Sequence, residues 1–136
     1  MRRRRPEDII QRTVFQHIHA RGVAGLVAIH VPNGGLRSRV EAKILSGLGV
    51  TAGAPDLLLW HQGRSYALEL KAEGGRTSEA QVAMLTRLKD AGVLAAVGSG
   101  IDNALAILEG WGLLRGKAPT RLSDNANNLA TGPARS

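Results

Sequence analysis

Between Gly53 and Lys71 the chain reads GAPDLLLWHQGRSYALELK, two apolar runs separated by Gln62-Gly63. A two-residue connection with glycine second is the signature of a tight antiparallel hairpin. Such a turn dictates the register. His61 opposes Arg64, Trp60 opposes Ser65, Leu58 opposes Ala67, and Asp56 opposes Glu69. Directly opposed residues share a face, with Cβ atoms about 4.5–5.5 Å apart. Alternation along the strand then places Lys71 beside Glu69 and sends Tyr66, Leu68 and Leu70 to the other face. Whatever fold this chain adopts must accommodate two carboxylates facing each other across a hairpin.

Opposed carboxylates repel unless a cation lies between them. The chain has no cysteine, which excludes a thiolate zinc site, a cysteine nucleophile and a disulfide scaffold. Oxygen donors favour a hard divalent ion, Mg²⁺ or Mn²⁺. Such an ion binds a phosphate oxygen, acidifies a bound water and offsets charge at phosphorus. Lys71 alongside would orient the attacking water or stabilise developing charge. Lys and Arg number 18 against 11 Asp and Glu, a net charge of +7, which points to a polyanionic partner, most simply nucleic acid. Together these features point to metal-assisted phosphodiester hydrolysis. The plainer alternative is an exposed sheet face with a Glu69–Lys71 pair and an Asp56 that caps a turn. No Walker A pattern or dinucleotide fingerprint occurs, so no nucleotide cofactor is expected.

The 136 residues amount to one domain. With only 3% aromatic residues, its core must be built from Leu, Ile, Val and Ala. Pro6 to Ala20 has helical spacing, with Ile10, Val14 and Ile18 as the buried stripe and Glu7 and Asp8 in the first turn. Leu26 to Val31 reads as a strand ended by the Pro32-Asn33-Gly34-Gly35 turn. Ser38 and Glu41 fit a capping box that opens a second helix with Val40, Ile44 and Leu48 as its stripe. Asp56–Trp60 and Tyr66–Lys71 are strands. Ser78 and Gln81 form another capping box and open a third helix to about Ala91. Leu94–Val97 is a strand and Asn103–Trp111 a last helix. The order α-β-α-β-β-α-β-α predicts an α/β fold, a mixed β-sheet flanked by helices. Residues 1–5, with Arg2 to Arg5, read as a basic N-terminal arm, residues 6–114 as the domain, and residues 115–136 as a polar, flexible C-terminal tail. No apolar stretch reaches the roughly 18 residues of a membrane span. No apolar segment follows the arginines, so no export is expected.

Four stretches, HVPNGGLRS, GLGVTAGAPDLLLW, YALELKAEGGRTSEAQ and the helix that follows, resemble the VRR-NUC family, the virus-type replication and repair nucleases of the PD-(D/E)XK superfamily. The resemblance runs from Glu7 to about Leu108. Pro55-Asp56 and Glu69-Leu70-Lys71 are short and degenerate motifs alone. They become specific when joined to Gly53, Gly74-Gly75-Arg76, Ser78 and Gln81. The resemblance implies a restriction-endonuclease-like fold. It also implies that Asp56, Glu69 and the Leu70 carbonyl hold Mg²⁺ or Mn²⁺ and that Lys71 acts in catalysis. It implies a small stand-alone endonuclease of phage or prophage type, a homodimer acting on branched or structured DNA. The setting it implies is the cytoplasm of a bacterial or phage-infected cell.

Several residues carry two readings. Glu7 shares the apolar face of its helix, where a carboxylate should be paired or ligating, and it resembles the family's metal-site Glu. It is equally a first-turn Glu favoured by the helix dipole. Gln81 resembles a Gln that reaches the active site, and it is equally the third residue of a capping box. Asn33, Arg37 and Arg39 follow a glycine-rich turn. They and Arg76 with Ser78 are read as DNA contacts by resemblance and as polar loop residues otherwise. His17, His19, His30 and His61 have no ligand-spaced partner and read as structural or surface residues. The competing function is a nucleic-acid-binding module that keeps a nuclease-like fold without turnover.

Overall fold

The hairpin sets the architecture. In the computed structural model, which describes residues 6–32, 47, 49 and 51–116, the first helix is α1 (Pro6–Arg21) and the first strand β1 (Val27–His30). Strands β2 (Leu57–His61) and β3 (Arg64–Lys71) follow. They pair antiparallel from Leu57 opposite Leu68 to His61 opposite Arg64, the register that the Gln62-Gly63 turn dictates. Gln62 has φ 50° and Gly63 φ 79°, the left-handed pair that a type I′ turn requires. Next come α2 (Glu79–Asp90), β4 (Leu94–Ser99) and α3 (Ile101–Gly110). β1 pairs antiparallel with β2, and β4 pairs parallel with β3. The sheet is mixed, in the order β1-β2-β3-β4.

One face of the sheet makes the core. Leu57, Leu59, Tyr66, Leu68 and Leu70 pack against Ile10, Val14 and Ile18 of α1 and against Ala104, Leu105 and Leu108 of α3. The α1 stripe is the one its spacing predicted. Two boundaries shift for packing reasons. β4 continues past Val97 because Gly98 lets it press on α3: a Cβ there would sit 2.8 Å from the Ala104 Cβ. α3 begins at Ile101, before Asn103, because Gly100 at φ 84° forms its N-cap. Asn103 steadies that start from inside the helix, its Oδ1 accepting the Ser99 N–H at 2.8 Å.

The folded chain extends through Leu113 and Leu114, both in the core. A bridge joins Gly22 to Leu114, and Arg21 clamps the strap. Its guanidinium pairs with Glu109 at 2.5 Å and its Nε donates to the Arg115 carbonyl at 3.0 Å. It also donates to the Gly116 carbonyl. Arg21→Ala should cost about 2 kcal/mol, the scale of partly buried hydrogen bonds to a charged group. Arg21→Lys should recover only part of that, because an ammonium cannot fork. Urea midpoints check this, and an unchanged midpoint would mean that Leu113 and Leu114 alone hold the strap.

The second helix expected from Ser38, the Asn33-Gly34-Gly35 turn residues, the arm Arg2–Arg5 and the tail from residue 117 lie outside the described residues. No helix among the described residues is long and apolar enough to cross a membrane.

Candidate active site

Where β2 begins and β3 ends, on the sheet face opposite the core, the two carboxylates meet. Glu69 is only 3% exposed, the one buried charged side chain among the described residues. Asp56, one residue before β2, is half-buried. Its Oδ2 accepts the Leu70 N–H at 2.7 Å, and its negative charge acts on the Glu69 carboxyl close by.

Pro55 explains part of the arrangement. Leu68 opposes Leu57, so the extended register sets Leu70 opposite Pro55. A strand residue points its N–H and C=O to the same neighbour, and Pro55 has no N–H to offer the Leu70 carbonyl. The Leu70 N–H turns to the Asp56 side chain, and its carbonyl faces the same side. Asp56 and Glu69 thus lie beside the Leu70 peptide, all oxygen donors of the kind that fits a hard divalent cation.

The electrostatics agree. The Glu69 carboxyl is pushed up to about 8, first by burial and then by the negative charge of Asp56, while Lys71 pulls it down. Asp56 is also raised, chiefly by burial, against the lowering effect of the Leu70 N–H. Burial thus leads for both groups, and the Leu70 N–H and the Lys71 charge offset it only in part. Lys71 Nζ stands 3.8 Å from Glu69 Oε2, on the expected face but too far for a tight ion pair.

This makes a pH prediction for the metal-free protein. Glu69 has an ordinary value of 4.5 and a folded value near 8. Across that window the folded state holds a proton that the unfolded chain has released. Stability should therefore fall as pH rises from about 4.5 to about 8 and level off above it. The upward shift of Asp56 acts in the same direction. Denaturation midpoints in chelator across this range check the slope, which Glu69→Gln should largely abolish. An identical slope in that variant would contradict the assignment.

Gln81 satisfies both of its sequence readings at once. Its Oε1 accepts the Ser78 N–H at 2.8 Å, and its own N–H donates to Ser78 Oγ at 3.1 Å, completing the capping box. Its Nε2 donates to Glu69 Oε2 at 2.5 Å. Ser78 Oγ thus accepts in the cap, which leaves its hydroxyl proton free to donate elsewhere. Glu7 is exposed, so burial does not oblige it to be paired, although its charge helps raise Asp56. Among the described residues no three His, Asp or Glu side chains cluster closely enough to hold a metal. Arg76 is exposed on the loop before α2. Asn33, Arg37 and Arg39 lie outside the described residues.

His30 is the residue the sequence reading passed over. With the Gln11 Nε2 donating to His30 Nε2 at 3.0 Å, its Nδ1 carries the proton and donates to the Asp56 carbonyl at 3.2 Å. Val31 N–H donates to the same carbonyl at 2.8 Å. His30 and Asp56 are neighbours only because His30 opposes Leu57 across β1 and β2, a long-range pairing with no local signal.

A mixed sheet flanked by helices, with an Asp before one hairpin strand and Glu-Leu-Lys ending the other, defines a restriction-endonuclease-like α/β domain. The VRR-NUC domain model matches residues 5–101, and the chain belongs to the VRR-NUC family of nuclease domains. It is similar to a solved VRR-NUC domain protein at 24% identity and TM-score 0.66, covering 89% of this chain and 100% of that one. It is also similar to Hjc, a Holliday junction resolvase of Archaeoglobus fulgidus, at 20% identity and TM-score 0.44, covering 68% of this chain and 67% of that one. No curated protein matches.

Proposed function

We propose that this protein is a divalent-metal-dependent deoxyribonuclease that hydrolyses phosphodiester bonds in branched or otherwise structured DNA. The observation that carries the reading is the Asp56–Glu69 pair itself, two carboxyl groups set across the hairpin with Glu69 buried and Lys71 Nζ 3.8 Å from it. Asp56, Glu69 and the Leu70 carbonyl would hold Mg²⁺ or Mn²⁺, with Glu7 contributing charge from α1. When bound, the ion supplies Lewis-acid polarisation of a phosphoryl oxygen and a more acidic water.

The chain's own residues do the rest. Asp56 is fixed by the Leu70 N–H, and Glu69 is oriented by Gln81 Nε2. Lys71 brings a cation to the same face, where it would orient the attacking water or offset charge at phosphorus. Arg76, Ser78, Asn33, Arg37 and Arg39 would contact phosphates, consistent with the +7 charge. The described residues hold one such carboxylate pair, so paired cuts on two strands would take a homodimer. That no three acidic or histidine side chains among the described residues cluster closely enough to hold a metal favours a second reading, a DNA-binding module without turnover.

Cleavage of four-way-junction, linear duplex, single-stranded and supercoiled DNA, with Mg²⁺, Mn²⁺ or chelator, separates these readings. Metal-dependent strand breaks, strongest on the junction, are expected. Tight junction binding without cleavage under either metal would establish the binding module instead.

A further inference from the structure

Gly53 sits in a turn closed by the Ala54 N–H donating to the Thr51 carbonyl at 3.3 Å. It occupies the third position at φ 79°, the left-handed conformation such a turn demands of that residue. What distinguishes it is its neighbour. A Cβ on Gly53 would lie 2.5 Å from the Ala80 carbonyl carbon and 2.9 Å from the Gln81 nitrogen, and closer still to the Ala80 oxygen. These are backbone atoms of the first turn of α2, so no side chain can swing aside. Gly92, also left-handed at φ 95°, meets nothing within 4 Å, and at Gly100 a Cβ would meet only the flexible side chain of Glu73.

The geometry points to Gly53 as a positioning residue: its bare backbone seats the first turn of α2 against the turn before Asp56, and so brings the Gln81 amide to Glu69. This rests on the nuclease reading above and deepens it. Three residues after Gly53 stands Asp56, with Pro55 stiffening the link. One turn thereby registers both arms of the site, Asp56 directly and Glu69 through Gln81. Ordinary carbon contacts are about 3.5–4.0 Å, so a methyl group at residue 53 must push the Ala80–Gln81 peptide back by about 1 Å. A misplacement of that size can cost about a hundredfold in rate.

The test is a kinetic double-mutant cycle on the full chain, measured well below the melting temperature. Gly53→Ala should lower kcat for Mn²⁺-dependent cleavage by roughly 30- to 100-fold with KM for DNA unchanged. In a Gln81→Ala background the same change should cost less than about threefold, because its effect runs through Gln81. Gly92→Ala pays the same left-handed strain without the collision and should keep the wild-type kcat. Wild-type kcat in Gly53→Ala, or a full loss persisting without Gln81, would overturn the proposal.

A spectroscopic arm is independent of turnover. In chelator, the Gln81 side-chain amide protons should show hydrogen-bonded NMR shifts in wild type and Gly92→Ala, and should collapse to solvent-averaged shifts in Gly53→Ala. If the protein cleaves nothing, the nuclease reading fails while this arm still decides the role of Gly53. If Gly53→Ala does not fold, a temperature series on wild type reads the same coupling. The Ala54 N–H and the Gln81 amide protons should lose their bonded shifts together. Loss of one while the other persists would overturn the proposal.

Discussion

Glu69→Gln and Asp56→Asn are each expected to lower metal-dependent cleavage by about a thousandfold or more while DNA binding persists. Both substitutions keep side-chain shape and remove one negative charge from the donor set. An ion so placed contributes several kcal/mol at the transition state. About 4 kcal/mol corresponds to roughly three powers of ten in rate. Gln at position 69 keeps an oxygen for the Gln81 Nε2, and Asn at position 56 keeps one for the Leu70 N–H, so neither variant should lose its local fold. Single-turnover cleavage of a labelled junction, beside a binding titration in chelator, measures both quantities. Cleavage within tenfold of wild type by either folded variant would remove that carboxylate from the mechanism.

How far the sequence could be read depends on the range of each interaction. The hairpin register was legible because Gln62-Gly63 admits one tight turn, and everything from His61–Arg64 to the Asp56–Glu69 opposition follows from it. The α1 stripe was legible because helical periodicity is local. Gln81 looked like a choice between cap and site, yet an amide has two ends and the structure uses both. The burial argument for Glu7 did not hold, because α1 turns that residue to solvent while Ile10 and Val14 face the core. The clamp of Arg21 on Glu109 and Arg115, the support of Asp56 by His30, and the seat of α2 on Gly53 join residues 26 to 94 positions apart. No periodicity or short motif encodes such contacts; each exists only once the sheet has brought its partners together.

The second large effect concerns metal and stability. In chelator, Asp56→Asn should be at least as stable as wild type at neutral pH, because losing the Asp56 charge removes one of the causes that raise Glu69, and the new amide can donate to Glu69. Excess Mn²⁺ should stabilise wild type by about 2.7 kcal/mol at a hundred times its dissociation constant. That is on the order of 10 °C in Tm for a domain of this size. The variant should gain far less. If Asp56 were only a turn cap, the metal-free variant would be destabilised and metal would act on neither protein.

The most direct measurement is calorimetric titration of Mn²⁺ into wild type and Asp56→Asn at pH 7, in two buffers of different ionisation enthalpy. Glu69, pushed up to about 8, is mostly protonated there and must ionise to bind a cation. The account predicts saturable binding to wild type with release of close to one proton per ion, and no measurable binding to Asp56→Asn. Binding of equal strength to both proteins, or none to wild type, would contradict a cation shared between Asp56 and Glu69.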